Sequence, residues 1–465
     1  MSRDPISEAL ASLRNELPAG LLAGVGPIHV AHARGRADLL GGDVAFAGST
    51  AVAWPLVAGV TVAVRELEAR ELRLRSSGRH ERGQDDEVRI VLDELLGLDP
   101  PVLRQRLSGD GRTAWSSRAV LAILRAFERA GRPPVGLAVD LRSDLAEESG
   151  LAASTALVAA TLQAALAWLD RAPSPEELAD EVAALEAAMP GHARAIDAAA
   201  ICLAPAGRCA SFLAQPCELL TMAPPPADVT AVALDLGSRP LDAVVDLHVA
   251  AAMAYRIIAA RMGLTIRTRE RGEPQEVEDP FYEGWLANCD PVTFANEFRE
   301  VLPKEQRGEE FLDQHGGLAD AAVRVDPGRL YRVRETAGFV LSENYRACAF
   351  VDDLFRSSPE GRSAGPRLGA SMTQSDRDSR SLLLADPDGS RLVDSLLRRG
   401  EGRGVYGARA TTRGAVVAVI ESGEESTRAL HEAIAEWERS CGRAAHLFPG
   451  AVGDGDPVPT GTFTP

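Results

Sequence analysis

The stretch Gly150-Leu-Ala-Ala-Ser-Thr-Ala156 joins a segment that alternates like a β-strand, residues 135–141, to a long alanine-rich segment typical of a buried helix. Its glycine allows a sharp bend, and its small side chains let backbone N–H groups come close to an anion. The N-terminus of the following helix adds about half a positive charge. The stretch therefore predicts a phosphate-binding turn, while a tightly packed helix start is the alternative that fits the same composition.

Other residues offer the remaining groups that phosphoryl transfer needs, which are metal ligands and a group that orients or deprotonates the attacking hydroxyl. Ser154 would present its hydroxyl to a metal or a phosphate oxygen, and Glu186 would hold Mg²⁺. Asp197 would be the base, and Arg36 would keep it ionised and balance developing charge. Each has an ordinary alternative among the 67 acidic residues and the many arginines, so the hypothesis depends on their order and spacing.

The composition excludes several classes of protein. A length of 465 residues predicts two or three domains at roughly 100–200 residues each. The formal net charge of −17 leaves no extended basic surface for nucleic acid or an anionic membrane. The six cysteines form no CxxC pair, no secretory signal follows Met1, and no apolar run reaches the ~20 residues of a membrane-spanning helix. We therefore expect a cytoplasmic protein that binds a small molecule, with its oligomeric state left open.

Strand-like and helix-like segments follow one another without a regular βαβ repeat, which favours an α+β fold over a doubly wound sheet. The proline run at 224–226 predicts a domain boundary that separates residues 1–225 from residues 226–465. A polar segment rich in Gly, Ser and Asp is expected over 357–390. Apolar spacing predicts helices at 5–17, 89–97, 114–130, 153–169, 176–188, 242–262, 343–355 and 423–440, and strands at 28–31, 43–46, 57–64, 135–141, 229–236 and 414–420.

Several motifs resemble those of the GHMP kinases (galactokinase, homoserine kinase, mevalonate kinase and phosphomevalonate kinase), and most of all the galactokinase and L-arabinokinase branch. Ala33-Arg-Gly-Arg-Ala-Asp-Leu-Leu-Gly-Gly42 resembles the first family motif, A-P-G-R-x-[DN]-x-x-G-G/E. Residues 150–156 resemble the second motif, G-L-x-S-S-A-A. The spacing from Glu186 to Asp197 agrees with the family's spacing within one residue. With further similar segments, the resemblance covers roughly residues 28–450.

The resemblance implies a two-domain fold, with an N-terminal domain like ribosomal protein S5 and a C-terminal ferredoxin-like α/β domain. It implies ATP and Mg²⁺ as cofactors and a sugar as the acceptor, phosphorylated at its anomeric hydroxyl. Asp197 would be the catalytic aspartate with Arg36 beside it, and Ser154 and Glu186 would be the Mg²⁺ ligands. The phosphate loop of the ATP site would comprise Gly150, Leu151, Ala152, Ala153, Ser154, Thr155 and Ala156.

The expected acceptor site departs from the family pattern. Ala45 stands where sugar kinases of this branch carry an acidic residue, and losing that charged hydrogen bond would weaken a sugar site by about 1.5–3 kcal/mol. Asp43 is its expected substitute, and Phe46 is expected beside the substrate. The family's P-C-G segment before the aspartate is replaced by a segment containing His192 and Arg194. This basic pair would favour an anionic substrate such as a uronic acid or a phosphosugar, unless both are exposed loop residues.

The third family motif, a glycine-rich G-G-G-x-G-G, corresponds here to Ala410-Thr-Thr-Arg-Gly-Ala415. Glycines at this place allow close approach to substrate and phosphates, and Arg413 would either block or bind them. This departure keeps two other hypotheses open. One is a catalytically weakened relative that binds a sugar or nucleotide as a sensor or regulator. The other is a scaffold of this family with non-kinase chemistry on a phosphosugar.

Overall fold

Helices and strands alternate irregularly along the chain, so the α+β prediction is confirmed. The structure is a computed structural model that describes residues 5–16, 22, 26–76, 86–95, 98, 100–109, 114–146, 148–189, 194–237, 243–355, 363–453 and 455–464. Within these ranges the α-helices are α1 (Pro5–Glu16), α2 (Pro100–Gly109), α3 (Ala114–Ala130), α4 (Ala153–Trp168), α5 (Pro175–Ala187), α6 (Ala195–Leu203), α7 (Ala243–Arg261), α8 (Pro291–Thr293), α9 (Gly308–His315), α10 (Val333–Phe355), α11 (Gly365–Ser381), α12 (Pro387–Arg399) and α13 (Glu424–Cys441).

The strands are distributed over the same described ranges. They are β1 (Ile28–Leu40), β2 (Thr50–Leu67), β3 (Glu71–Ser76), β4 (Asp86–Val91), β5 (Gly136–Ser143), β6 (Cys209–Leu213), β7 (Glu218–Ala223), β8 (Val229–Asp235), β9 (Thr265–Arg267), β10 (Glu276–Glu278), β11 (Gln306–Arg307), β12 (Leu330–Tyr331), β13 (Val405–Ala410), β14 (Ala415–Glu421), β15 (His446–Pro449) and β16 (Thr460–Phe463).

The chain divides into two compact units, and each unit consists of more than one segment. Unit 1 comprises Met1–Ala37, Trp54–Cys209 and Leu447–Pro465, and unit 2 comprises Asp38–Ala53 and Ala210–His446. The expected boundary near residue 225 differs from this division, because unit 2 also takes in a segment near the N-terminus and unit 1 takes in the last residues of the chain. A proline run marks a local break in the chain, but it does not indicate that segments far apart in the sequence belong to the same unit.

Unit 1 is built on a mixed sheet whose strands lie in the order β16-β1-β2-β5-β3-β4. β5 pairs antiparallel with β2 and parallel with β3. Helices α3, α4, α5 and α6 pack together and share one hydrophobic core with the sheet. The alanine-rich α4 is buried along most of its length, and its small side chains allow α3, α5 and α6 to come close to it.

Helix α5 begins where the sequence carries a strong start signal. Ser174 is its N-cap and accepts a hydrogen bond from the backbone N–H of Glu177 at 3.1 Å, while the Glu177 carboxylate accepts from the Ser174 N–H at 2.9 Å. Pro175 occupies the first turn, where its missing N–H costs nothing. This capping box fixes the start of the helix that carries Glu186.

Unit 2 contains antiparallel strands in the order β13-β14-β8, with α11 and α12 packed on β13. A separate hydrophobic core forms around α7 and α10. Among the described helices, α7 is the one long and apolar enough to cross a membrane, and 61% of its apolar window is buried inside the protein. Burial of this kind is typical of a core helix.

Two predictions of local structure are wrong, and each has a physical reason. Residues 89–91 of the predicted helix 89–97 belong instead to β4, because they pair with β3, and Leu92–Glu94 form a 3₁₀ helix. Residues 43–46 lie in a 3₁₀ helix, Gly42–Ala47, between Gly41 and Gly48, whose positive φ values of 82° and 85° turn the chain at both ends. The polar segment 357–390, for which no helix or strand was predicted, contains α11, which buries Leu368 and Met372 four residues apart.

Candidate active site

The predicted phosphate turn connects β5 to α4 in unit 1. Gly150 has a φ of 74°, and Ala152, the N-cap of α4, also adopts the left-handed conformation with φ 61° and ψ 35°. No side chain caps this helix N-terminus. The N–H groups of a first helical turn have no acceptor within the helix, so the turn presents backbone donors and the positive end of the helix dipole to an anion.

The turn is attached directly to β1. The backbone N–H of Arg36 donates to the carbonyl oxygen of Leu151 at 3.1 Å. Glycine is required at position 35, because a Cβ there would lie 2.4 Å from the Leu145 side chain and 2.9 Å from the Leu151 carbonyl oxygen. The first and second motifs of the sequence therefore meet at this strand and turn.

The two predicted metal ligands also meet in unit 1. Ser154 Oγ lies 3.2 Å from Glu186 Oε2, and Thr155 Oγ1 donates to the same oxygen at 3.3 Å. Arg118 of α3 donates from Nε to Glu186 Oε1 at 3.1 Å, so that one carboxylate oxygen is oriented by an arginine and the other faces the turn. Glu186 is buried, and α5 carries it to this position.

This pair of oxygens fits a magnesium ion in type and spacing. Mg²⁺ prefers oxygen ligands at 2.0–2.1 Å in octahedral geometry, which places neighbouring ligands ~2.9 Å apart. Within the described residues, no group of three or more His, Cys, Asp and Glu side chains could hold a metal ion. An ion at Ser154 and Glu186 would therefore need phosphate and water oxygens to complete its shell, as is usual for Mg²⁺ with nucleotides.

Asp197 and Arg36 form a buried ion pair. Asp197 is the third residue of α6, and Arg36 projects from β1. Asp197 Oδ1 accepts a hydrogen bond from Arg36 Nε at 2.7 Å and a second one from Nη2 of the same guanidinium. Both side chains are almost completely buried. The structure thus brings together the predicted base and the predicted cation.

Arg194, predicted at the substrate, is a second partner of Asp197. Its Nη2 donates to Oδ1 at 3.1 Å and its Nε donates to Oδ2 at 3.3 Å. The side chain is only 12% exposed, so the alternative of an exposed loop residue is wrong for Arg194. His192, the other member of the predicted basic pair, lies outside the described residues.

Asp43 lies in unit 2, and the residues around it occupy both of its carboxylate oxygens. Oδ1 accepts from the backbone N–H of Thr412 at 3.2 Å and from its hydroxyl at 2.5 Å, while Oδ2 is paired with Arg409. Burial opposes the charge of Arg409, but Asp43 and Glu343 outweigh it and raise the pKa of the Arg409 guanidinium. Through these contacts Asp43 holds Thr412 in place, and with both of its oxygens occupied it is not well suited to its expected role as a sugar ligand.

The segment that corresponds to the third family motif is a short hairpin between β13 and β14 in unit 2. Thr411 N–H donates to the Ala415 carbonyl oxygen at 2.8 Å, and Gly414 turns the chain with a φ of 95°. Asp376 accepts a hydrogen bond from the N–H of Ala410 at 2.9 Å, and burial raises the pKa of its carboxyl group. Arg413 is half-buried at the turn. Fixed contacts at both ends thus replace the glycine-rich loop.

Phe46 lines a cavity of about 420 Å³ in unit 2, which Tyr255 and Trp285 also line. Its ring stacks on His248 with centroids 4.2 Å apart. His248 Nε2 lies 2.6 Å from Asp320 Oδ2. Burial opposes ionisation of Asp320, but the contact with His248 and a backbone N–H outweigh it and lower the pKa. Sequence reasoning missed His248 and Asp320, since one histidine in a helix gives no motif.

Part of the chain matches a family model. Residues 117–204 match the family model described as GHMP kinases N terminal domain, a span that includes the phosphate turn, Glu186 and Asp197. A comparison with curated protein sequences finds no match.

Solved structures share the fold over almost the whole chain. The galactokinase of Lactococcus lactis, solved with galactose, is 15% identical with a TM-score of 0.70, covering 96% of this chain and 99% of its own. The mevalonate kinase of Methanococcus jannaschii is 12% identical with a TM-score of 0.55 over 92% of this chain and 98% of its own. A homoserine kinase from Cytophaga hutchinsonii is 13% identical with a TM-score of 0.52 over 94% and 97%. At these identities the likeness establishes the fold.

Proposed function

We propose that this chain is a member of the GHMP kinase superfamily and an ATP-dependent kinase of a small molecule, which the match over residues 117–204 and the similarity of fold support. One observation carries the proposal. The turn at 150–156 is bound at one end to β1, which supplies Arg36 to Asp197, and at the other end to Glu186. An anion-binding turn, a metal-ligand pair and a charge-paired carboxylate therefore belong to one local structure.

The turn is suited to bind the phosphate groups of ATP. The first-turn N–H groups of α4 and its dipole attract negative charge without any lysine or arginine in the turn itself. Ala152 and Ala153 have no side chain beyond Cβ, which keeps the backbone accessible to a bulky phosphate chain. Ala153 replaces the first serine of the second family motif, and this replacement is therefore compatible with phosphate binding.

Ser154 and Glu186 would hold Mg²⁺, which when bound neutralises phosphate charge. Arg118 would keep the Glu186 carboxylate turned so that Oε2 faces Ser154. Such outer partners orient metal ligands and tune their affinity. The three helices α3, α4 and α5 thus supply one residue each to this part of the site.

Asp197 would accept the proton of the acceptor hydroxyl during transfer. The hydroxyl oxygen forms a bond to the γ-phosphorus of ATP, the bond from that phosphorus to the β,γ-bridging oxygen breaks, and ADP leaves with the electron pair of that bond. The hydroxyl proton moves to the Asp197 carboxylate. Arg36 holds this carboxylate in place and stabilises negative charge that develops beside it.

A sugar is the acceptor that the motif resemblance favours, with phosphorylation at the anomeric hydroxyl. The similarity of fold to a galactokinase that was solved with galactose supports a sugar. The similarity to mevalonate and homoserine kinases shows that this fold also accommodates other acceptors. The activity assays therefore use a panel of acceptors and not a single compound.

Asp197→Asn tests the proposal, because it keeps the size of the side chain and removes the charge that would take the proton. We expect ATP-dependent ADP formation with an acceptor to fall by about 10²-fold or more. Asp140→Asn is the matched control, since Asp140 is also buried in unit 1 and also paired with two arginines, Arg75 and Arg142. Equal activity of Asp197→Asn and the wild type would contradict the assignment.

A second candidate function is binding without catalysis, as a sensor or regulator. The hairpin at 411–414 favours it, because hydrogen bonds to Asp43 and Ala415 fix the segment that corresponds to the family's glycine-rich loop. Titration calorimetry with ATP and Mg²⁺, run beside the ADP assay, separates the two. Nucleotide binding with no turnover over the whole acceptor panel would favour this second function.

A further inference from the structure

We propose that the cavity lined by Phe46 in unit 2 is a second ligand site, which binds a small organic cation in the form of a protonated amine on an apolar body. The inference goes beyond the proposed kinase function. The phosphate turn, Glu186 and Asp197 belong to unit 1, whereas the described residues that line this cavity belong to unit 2. The size, the aromatic side chains and the charge of the cavity together point to this ligand.

The cavity has the size of a small-molecule site. Its volume of about 420 Å³ lies within the ~300–1,000 Å³ that is usual for ligand pockets. Helix α7 supplies four lining residues between His248 and Tyr255, and their spacing of three, four and seven positions from His248 places them on one face of the helix. The other lining residues lie at 46–47, 275–277, 284–286 and 319–321. Segments that are distant in the sequence therefore converge on this cavity.

Three aromatic side chains, Phe46, Tyr255 and Trp285, line the cavity. The Phe46 ring stacks on His248 with centroids 4.2 Å apart. Tyr255 is buried, and its hydroxyl donates to Asp279 Oδ2 at 2.7 Å, which holds the ring in place. Aromatic rings bury the apolar body of a ligand, and the negative face of a ring also attracts a cation. The aromatic lining therefore fits an amine with an apolar body.

Asp320 gives the cavity a negative charge. Burial opposes ionisation, but the contact with His248 Nε2 at 2.6 Å and the backbone N–H of Ala322 at 2.7 Å outweigh it and lower the pKa of Asp320. The described lining contains no lysine or arginine, and its other carboxylate, Glu276, is exposed and paired with Arg269. An anionic ligand would therefore meet a like charge, whereas a cation would be attracted.

The polar groups of Asp320 and His248 match the donors of an ammonium group. A carboxylate has about four acceptor positions, and Asp320, whose side chain is 27% exposed, accepts two hydrogen bonds within the described residues. Because His248 Nε2 donates to Asp320, Nδ1 of the neutral imidazole is an acceptor, and it has no partner in the described part of the chain. An ammonium group has donors only, and its hydrogen bond to a carboxylate is strengthened by charge.

The experiment compares three probes that share one aromatic ring and differ in charge. Phenethylammonium is the cation, phenethyl alcohol is the neutral compound and phenylpropionate is the anion. Binding to the full chain is measured by titration calorimetry near neutral pH. We expect phenethylammonium to bind about 10-fold or more tightly than phenethyl alcohol, and phenylpropionate to bind most weakly.

Asp320→Asn should lower the affinity for phenethylammonium by about 10-fold and leave that for phenethyl alcohol nearly unchanged, because only the charge is removed. Trp285→Leu is a second variant, which should weaken the binding of both compounds because an aromatic wall is lost. Asp378→Asn is the matched control, since Asp378 is also a partly exposed carboxylate of unit 2 but does not line this cavity. Circular dichroism and thermal unfolding establish that each variant is folded.

Several results would overturn the inference. These are no binding of any probe, equal or tighter binding of the alcohol or the anion, and unchanged binding of phenethylammonium to both Asp320→Asn and Trp285→Leu. Because Phe46 was expected beside the substrate, the titration is repeated with the acceptor panel present. Displacement of phenethylammonium by an acceptor would assign the cavity to the acceptor and overturn a second site. Failure of the proposed kinase function is seen separately, as no ADP formation, and leaves the binding measurements valid.

Discussion

At the scale of single residues, Glu186 is the side chain on which the metal prediction depends. Its Oε2 faces the hydroxyl of Ser154 at 3.2 Å while Arg118 holds Oε1. Oε2 is therefore the oxygen that would face a metal ion at Ser154, while Oε1 is held by Arg118.

Glu186→Gln should raise the Mg²⁺ concentration for half-maximal activity by about tenfold or more, because the amide keeps the shape but loses the negative charge. The measurement is the initial rate against Mg²⁺ at constant ATP. Glu181→Gln is a matched control on the same helix, since Glu181 is also largely buried and paired with Arg125 and Arg129. An unchanged Mg²⁺ requirement in Glu186→Gln would remove the residue from the metal site.

Some contacts between single residues could be predicted from the sequence and others could not. The pairs Arg36–Asp197 and Ser154–Glu186 could be predicted, because both lie in motifs whose order and spacing imply proximity. The contact of Arg194 with Asp197 was not predicted, because the direction of a long side chain depends on where α6 begins. Asp43 was expected at the substrate, and the partners that engage it are more than 360 residues away in the sequence.

At the scale of elements, the turn between β5 and α4 contains a conformation that its residue disfavours. Ala152 lies in the left-handed region, where a Cβ approaches the following carbonyl oxygen. The glycine-rich character of phosphate turns has its origin in this geometry. The sequence indicated a bend at Gly150, but the second left-handed residue was not evident, since alanine is a good helix former.

Ala152→Gly should keep the turn and raise stability by up to about 1 kcal/mol, because glycine accepts the left-handed region without strain. Ala152→Val should lower stability by about 1–2 kcal/mol, because a branched side chain is strained further. Denaturant unfolding of the two variants beside the wild type measures the difference. A valine variant as stable as the glycine variant would show that the turn does not require the observed conformation.

Elements with one clear period were predicted well and those with ambiguous periods were not. α3 was predicted at 114–130 and occupies these residues, because its apolar residues repeat at helical spacing over more than four turns. Residues 89–91 of β4 were predicted as part of a helix at 89–97, because a short apolar run satisfies both periods and the pairing of β4 with β3 decides the outcome. The hairpin at 411–414 was expected to be an eroded loop, and its buried partners Asp43 and Asp376 lie far away in the sequence.

At the scale of the whole molecule, the division into units depends on pairings between the two ends of the chain. β16 pairs antiparallel with β1 from Ile28–Phe463 to Ala31–Thr460. Val458 lies in the core of unit 1, and the carbonyl oxygen of Ala451 accepts from the Trp54 indole. A pairing between strands at opposite ends of the chain cannot be predicted from composition. The expected boundary near 225 therefore rested on the local proline run alone.

Removal of residues 447–465 should destabilise unit 1 by more than about 5 kcal/mol, since it takes away a buried valine, a strand of the sheet and its hydrogen bonds. This is a large share of the ~5–15 kcal/mol that stabilises a typical domain. Hydrogen exchange at the amides of β1 and calorimetric unfolding would detect the loss. Val452→Ala, at an exposed position of the same segment, should leave both unchanged. Unchanged protection of β1 after the deletion would contradict the division into units.

The proposed function requires that the turn at 150–156 and Asp197 act in transfer of the γ-phosphoryl group of ATP to a small-molecule hydroxyl. The most direct measurement is the ³¹P NMR spectrum of the full chain with ATP, Mg²⁺ and the acceptor panel. We expect a new phosphomonoester signal that grows in step with ADP and is absent with Asp197→Asn. ATP that stays intact with every acceptor, or the same product from Asp197→Asn, would show that the proposed kinase function is wrong.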